Sequence, residues 1–533
     1  MGFNIIEGQV ARSDAWDHGY PDLATRFTQD DMLRPEWGAS GIYGLMNVQT
    51  PDGKTHLVGT VSKSGYIYDF STKKVVYDFM AGTGGSVNGV SGSFGLSGPI
   101  SNGDTYDSAT YWQSPVDRTN GEGGWYYFGG FITGPVQSGT SFSSLNKYTY
   151  LLRTRDLVNW QILVKDQSAD ASSWRAEIGG LVPTNNKLYI LRADLSGAGD
   201  QHAGLYSYDG TAPTAGVFTI NRDTTEQAHK GVVFNDYFMY SVRQSQSRKN
   251  INLITAATGS DSLASVSSIT GGTYGADFVY QGSYGKVGGN LVTATQNGYM
   301  WSRVNGTTIF VPLCIYSVDG FGRALGWRAG ALEVAGGLVI PANAADPSDY
   351  IANVGGKLHT NPQSYLLWIG PGGQTKVLDV GGHFSGLAVH GDRLYYGVTE
   401  HPSANRYSNY LFGAPALASI HISEIKTRKV PFSMNVLFDG TGKYSATASG
   451  VNGLLGGIPT LGYTGGKMRI YCDTSVTLTF STWTSELYMR DVGTVSITAN
   501  TAQIIDLAPY LDGNLLGFRL SANATIEGSV TLT

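Results

Sequence analysis

The chain has 533 residues, a formal net charge of −5 and only 14% charged residues, against about 25% in an average soluble protein. That balance offers no basic field for a phosphate backbone, and no window approaches about 18 continuous apolar residues, so neither a nucleic-acid partner nor a membrane span is expected. Glycine, at 72 residues, is about twice its usual share, and 32 tyrosines outnumber 20 phenylalanines, the profile of a rigid, turn-rich all-β protein.

Taken in order, the first 20 residues show no basic stretch followed by an apolar one, so a signal peptide is not expected. Residues 1–40 carry Asp14, Trp16, Asp17, Asp22, Asp30, Asp31, Glu36 and Trp37 without periodicity, and read as an irregular arm or a strand that closes a ring. From Gly41 to Met80 three short strands are expected, Leu57 to Val61, Gly65 to Phe70 and Lys74 to Phe79. Ala81 to Asn102 is glycine- and serine-rich and reads as a surface loop.

The clearest hairpin lies at Glu177 to Arg192, where the apolar runs Ile178 to Val182 and Leu188 to Leu191 flank a Pro-Thr-Asn-Asn turn. Similar runs recur, and Gly180, Gly231, Gly282, Gly330 and Gly386 mark them at a spacing of about 50 residues. A unit of that length with several short strands is one blade of a β-propeller, a sheet that buries its faces only by stacking on its neighbours. Glycine suits the innermost strand, where backbones crowd the axis. About seven blades are expected over residues 41–430, with six to eight compatible, and Ala342 to Leu358 reads as an insertion in the sixth.

From Pro431 onward the texture changes. Ser475 to Phe480, Thr494 to Thr498 and Ala524 to Leu532 alternate apolar and hydroxyl residues, so residues 431–533 are expected to form a C-terminal β-sandwich or jelly roll. The two cysteines, Cys314 and Cys472, fall in different domains by this division and are expected to be inert buried thiols.

The second blade contains Thr154-Arg155-Asp156-Leu157-Val158-Asn159-Trp160. This stretch resembles the Ser/Thr-x-Asp-Leu-x-x-Trp turn of the propeller glycosidases of the arabinanase and fructosidase type, and more distantly the Asp-box of sialidases. The resemblance implies an aspartate that accepts bonds from turn amides and a tryptophan that plugs the gap to the next blade. It also implies an acid glutamate opening the third blade, where Glu177 stands, and an aspartate opening the second, where Asp107 stands. The Asp-Pro motif of the family's base is absent from the first blade, and Glu36 and Asp17 are poor substitutes for it.

Residues just before the glycine marks face the central pocket of a propeller, which nominates Glu177, His229, Arg328 and His383, with Asp107 and Asp277 nearby. One ring of carboxylates, imidazoles and a guanidinium suits an anionic or polyhydroxyl ligand. No metal site or cofactor is expected: the motifs for zinc, nucleotide and serine chemistry are absent, and Asp346 and Asp349 alone do not define a calcium loop. An exterior-type composition without an export signal resembles the style of phage tail and head-decoration proteins. The expected function is therefore a non-enzymatic virion surface protein, homo-oligomeric, in contact with other virion proteins or a host glycan. The alternatives are a glycoside hydrolase or an extracellular lectin-like protein.

Overall fold

The computed structural model describes residues 22–26, 42–61, 65–79, 108–138, 141–168, 177–193, 204–211, 219–222, 227–234, 237–244, 248–255, 267–270, 284–287, 290–294, 299–303, 310–315, 326–327, 331–343, 352–354, 357–359, 365–380, 383–399, 416–428, 430, 432–438, 455–460, 462–483, 489–513, 515–522, 524 and 526–533. Those residues are almost entirely antiparallel β-structure. The loop at 81–102 and the glycine marks Gly282 and Gly330 lie outside them.

Seven sheets among the described residues follow one plan, in which the chain enters on the innermost strand and steps outward. The innermost strands are Ile42–Gln49, Ser108–Trp112, Glu177–Pro183, Gln227–Phe234, Tyr284–Val287, the broken pair Gly326–Trp327 and Leu332–Val334, and His383–His390. Each touches the next in this order, and the last touches the first, so the seven sheets close a ring. They are numbered here as blades 1 to 7. Blade 7 takes its outermost strand from the other end of the chain: Asp22–Arg26 pairs with Ala416–His421. In blade 6 a separate hairpin, Ala352–Val354 with Lys357–His359, is inserted between the second and third strands.

The recurring glycine has a geometric cause. The register of the innermost strand slips between Tyr43 and Met46 in blade 1, Ile178 and Gly180 in blade 3, Ala228 and Gly231 in blade 4, and Ser385 and Leu387 in blade 7. Each slip is a β-bulge that bends the strand where it meets its neighbour. Blade 1 uses Gly44, with φ of +55°, a position the spacing of the other marks does not reveal. In blade 7 a Cβ on Gly386 would sit 2.7 Å from the Ile42 carbonyl oxygen and 3.1 Å from Leu45 Cβ. No side chain fits there because the backbone of blade 1 already occupies the space.

Between the blades the apolar faces form separate cores. Val58, Ile67, Tyr77, Phe128 and Trp160 fill the seam of blades 1 and 2, and Tyr127, Leu151, Ile178, Ile190 and Tyr208 fill that of blades 2 and 3. Ile42, Tyr66, Ala388 and Leu417 fill the seam that closes the ring.

The C-terminal eight strands are Phe432–Phe438, Leu455–Pro459, Gly466–Cys472, Val476–Trp483, Met489–Ile497, Gln503–Asp506, Leu515–Leu520 and Ile526–Leu532. Numbered one to eight, they pair as 1-8-3-6 and 2-7-4-5. That is the strand order of a jelly roll, two Greek keys folded face to face. Its core includes Met468, Ile470, Leu478, Phe480, Phe518 and Val530, with Phe480 stacked on Tyr510 at 4.2 Å. Cys472 is a free, buried thiol in this core, and burial pushes its pKa up.

Adding a methyl group at Gly386 forces the blade 7 and blade 1 backbones apart. Gly386→Ala is expected to cost about 1–3 kcal/mol, read as a lower chemical denaturation midpoint, while Gly123→Ala, with open space around its Cβ, leaves the midpoint unchanged.

Candidate functional site

Because every blade is entered by its innermost strand, the starts of those strands gather at one end of the ring axis. Glu177 is the first residue of its innermost strand, in register with Ala193, and His383 is the first of its own, in register with Thr399. His229 is the third residue of the blade 4 strand and falls inside that strand's bulge, between Ala228 and Gly231. Blades 3 and 4 are neighbours, so Glu177 and His229 stand on adjacent innermost strands, whereas His383 stands on that of blade 7, three blades on. Asp107, Asp277 and Arg328 lie outside the described residues, as do Asp17, Glu36, Asp346 and Asp349.

Two residues at this end carry roles that the sequence does not single out. Ser385 Oγ accepts the Ile42 amide N–H at 3.2 Å, joining blade 7 to blade 1, and Ser108 Oγ accepts the Leu181 amide N–H at 3.2 Å, joining blade 2 to blade 3. An innermost strand has a ladder partner on one edge only, so amides on its other edge need partners from elsewhere, and here a hydroxyl from the neighbouring blade supplies one. At the opposite end, Asn47 donates to the Val389 carbonyl at 2.5 Å and meets His390 Nδ1 at 2.8 Å. The polar residues with described partners along the innermost strands are thus committed to holding blades together.

The Thr154 to Trp160 turn behaves as its chemistry requires. Asp156 Oδ1 accepts the amides of Val158 at 2.9 Å and Asn159 at 2.7 Å, and Thr154 Oγ1 accepts that of Leu157 at 3.0 Å. Leu157 takes a φ of +64°, a left-handed position that the surrounding bonds hold in place. Burial alone would raise the Asp156 pKa, but hydrogen bonds from Asn159 and Val158 outweigh it and leave the carboxyl below its usual range. The direction of the tryptophan differs from expectation. Trp160 packs on Tyr77, at 5.2 Å, so it fills the seam to the preceding blade. Strand alternation decides this: Tyr150, Leu152, Trp160 and Ile162 face blade 1, while Tyr127 and Leu151 face blade 3.

Beside this turn lies the best-defined charged cluster among the described residues. Ser114 caps the short helix Pro115–Thr119 in a capping box with the buried Asp117, a turn absent from the sequence reading. Asp117 also accepts from Arg155 at 2.7 Å and from the Trp125 indole at 3.3 Å, and Arg155 reaches Glu122 at 2.9 Å. Trp125 lies against two guanidinium groups, Arg153 at 4.2 Å and Arg155 at 4.1 Å. Arg153 is buried and donates to Gln161 Oε1 at 2.8 Å and to Tyr208 OH at 3.0 Å, across the seam to blade 3. Burial pushes the Tyr208 pKa up to about 12 despite this cation, so the phenol stays neutral and accepts. The cluster's carboxylates are matched by its own donors, which makes it a clamp on the blade 2 and 3 seam. No group of three or more His, Cys, Asp or Glu among the described residues is arranged to hold a metal ion.

Trp160→Ala is expected to destabilise the ring by about 3–5 kcal/mol through cavity formation. Asp156→Ala is expected to cost about 1 kcal/mol near neutral pH. Because its folded pKa is lowered, the Asp156 contribution is present above the unfolded value and is lost as pH falls through the folded one. The stability difference between wild type and Asp156→Ala should therefore narrow below about pH 4, measured by denaturation midpoints across an acid series.

No curated protein matches the sequence. Among solved structures, the sialidase of Trypanosoma rangeli is similar over 92% of this chain and 94% of its own, at 9% identity and a TM-score of 0.34. The α-L-arabinanase of Penicillium chrysogenum, solved with arabinobiose, is similar over 76% of this chain and 98% of its own, at 9% identity and a TM-score of 0.37. The model of a family described as an uncharacterized protein conserved in archaea (DUF2139) matches residues 93–407, more than half of the chain, and the chain belongs to that family.

Proposed function

We propose that the chain is a binding protein displayed outside the cell that makes it, with a propeller that takes a polyhydroxyl or anionic ligand at the end of the axis where the innermost strands begin. The observation that carries this reading is the placement of Glu177, His229 and His383 at or near the starts of three innermost strands of one ring. A carboxylate that accepts and imidazoles that donate or accept form the mixed set that sorts hydroxyl groups by direction. Bulges at these strands support it further, since they re-aim backbone and side chains near binding sites.

The jelly roll supports attachment or oligomerisation as the second task, an analogy of architecture shared with capsid and lectin domains. A place on a virion surface is the reading favoured by low charge together with high glycine, serine and tyrosine content. No helix among the described residues is long and apolar enough to cross a membrane.

Wild type and the variants Glu177→Gln and His383→Ala, screened on a glycan array and on aryl-glycosides, test the proposal. Either variant should weaken the array signal roughly tenfold without any turnover by the wild type. Turnover of an aryl-glycoside that disappears in Glu177→Gln would make the protein a hydrolase instead. Recovery of the chain from washed particles, at a fixed ratio to other particle proteins, tests the virion placement.

A further inference from the structure

At the end of blade 7 opposite the strand starts, three side chains join in one hydrogen-bonded chain. The first two strands of the blade are linked by the two-residue turn Gly391-Asp392, with His390 in register with Arg393 and Gly391 at a φ of +61°. The third strand, Ala416–His421, stops beside that turn: His421 stands in register with Arg393, and the Ile422 amide donates to the Asp392 carbonyl at 2.9 Å. His421 then caps the single 3-10 turn Ile422–Glu424. Ile425 is fully buried and Ile422 packs beside it in the core of blades 6 and 7, so both turns are held as one rigid corner.

Ser423 Oγ lies 2.7 Å from His421 Nδ1, and His421 Nε2 lies 2.7 Å from Asp392 Oδ2. A third contact settles the roles of the two ring nitrogens. The Ser423 backbone amide, which can only donate, also points at Nδ1, at 3.3 Å, so Nδ1 carries the lone pair and Nε2 carries the proton that Asp392 accepts. The Ser423 hydroxyl thus donates to a nitrogen able to take its proton. Capping needs only Nδ1. The carboxylate on the far nitrogen goes beyond it, because it fixes the tautomer and stabilises the imidazolium that forms when Nδ1 is protonated. Glu424, the nearest other carboxylate along the chain, turns to Arg428 at 3.8 Å.

We infer that Ser423, His421 and Asp392 form a nucleophile, base and orienting carboxylate that hydrolyse short-chain acyl esters. Ser423 Oγ bonds to the ester carbonyl carbon as its proton passes to His421 Nδ1. The bond from that carbon to the alcohol oxygen then breaks, and the alcohol leaves with the proton from Nδ1. Water attacks the acyl-serine in the same way, its proton passing to Nδ1 and on to Ser423, so that one ester and one water give one acid and one alcohol. Ser423 is exposed and Asp392 is 71% exposed, an open setting that admits an ester carried on a large molecule and suits a short acyl group such as acetyl. The site lies at the other end of the ring from Glu177 and His383 and does not rest on the reading given to them.

Two probes of the full chain test the inference: turnover of p-nitrophenyl acetate, and labelling by a fluorophosphonate with the modified residue located by mass spectrometry. The wild type should carry the label on Ser423 and should hydrolyse the ester about 100-fold faster than Ser423→Ala, whose lost hydroxyl is exposed and leaves the thermal midpoint unchanged. His421→Asn keeps an acceptor for the Ser423 amide but has no base, so it should fold as wild type and lose the same activity and label. Asp392→Asn should lower kcat about tenfold at unchanged KM. Ser496→Ala, at an exposed serine of the jelly roll, should behave as wild type. Absence of label on the wild type, label on a residue other than Ser423, or wild-type turnover by Ser423→Ala, His421→Asn or Asp392→Asn would each overturn the inference.

Discussion

Seven sheets can share one axis only if their innermost backbones approach more closely than side chains normally allow. The close contact of His383–His390 with Ile42–Gln49 is the point where this constraint is sharpest, because there the ring either closes or stays open. Gly386 yields its side chain to the Ile42 carbonyl, and Gly397 does the same for Ser385 and Ile42. Bulges bend the strands at the crowded centre, and amides of two innermost strands are taken up by serine hydroxyls of a neighbouring blade. Glycine, bulge and serine are three answers to one steric problem.

Away from the axis the problem reverses, since blades diverge and the gap must be filled. Aromatic side chains fill it: Tyr77, Phe79, Tyr150 and Trp160 in the seam of blades 1 and 2, and Trp112, Tyr127 and Tyr208 in the seam of blades 2 and 3. Their phenol and indole groups then need partners, which explains the buried Arg153 beneath Trp125 and Tyr208 and the bond from Trp112 to the Thr184 carbonyl at 2.7 Å. Tyrosine outnumbers phenylalanine because these wedges reach from an apolar seam to a polar rim.

The jelly roll is joined to the ring by more than its linker. Lys376 donates to the Lys426 carbonyl, and Arg428, itself buried, donates to the Leu378 carbonyl at 3.1 Å. One apolar cluster continues from Leu367 and Val377 of blade 6 through Val430 into the sandwich core. A shared core fixes the orientation of the two parts.

Periodicity and composition determined the architecture. Glycine spacing near Gly180, Gly231 and Gly386 gave the blade repeat, and period-two alternation such as that of Val476 to Phe480 gave the C-terminal sandwich, because both are properties of neighbours along the chain. The positions of Glu177 and His383 as the first residues of innermost strands were legible for the same reason, whereas His229 falls inside its strand's bulge. Contacts between distant segments were not. A ring-closing strand within residues 1–40 was one of two readings, and its pairing with Ala416–His421 decides between them; that Ser385 serves Ile42 and that Trp160 turns toward blade 1 are decided by strand pairing and blade stacking. Sequence sets which face of a strand is apolar, but only closure of the ring and folding of the Greek keys determine what that face meets.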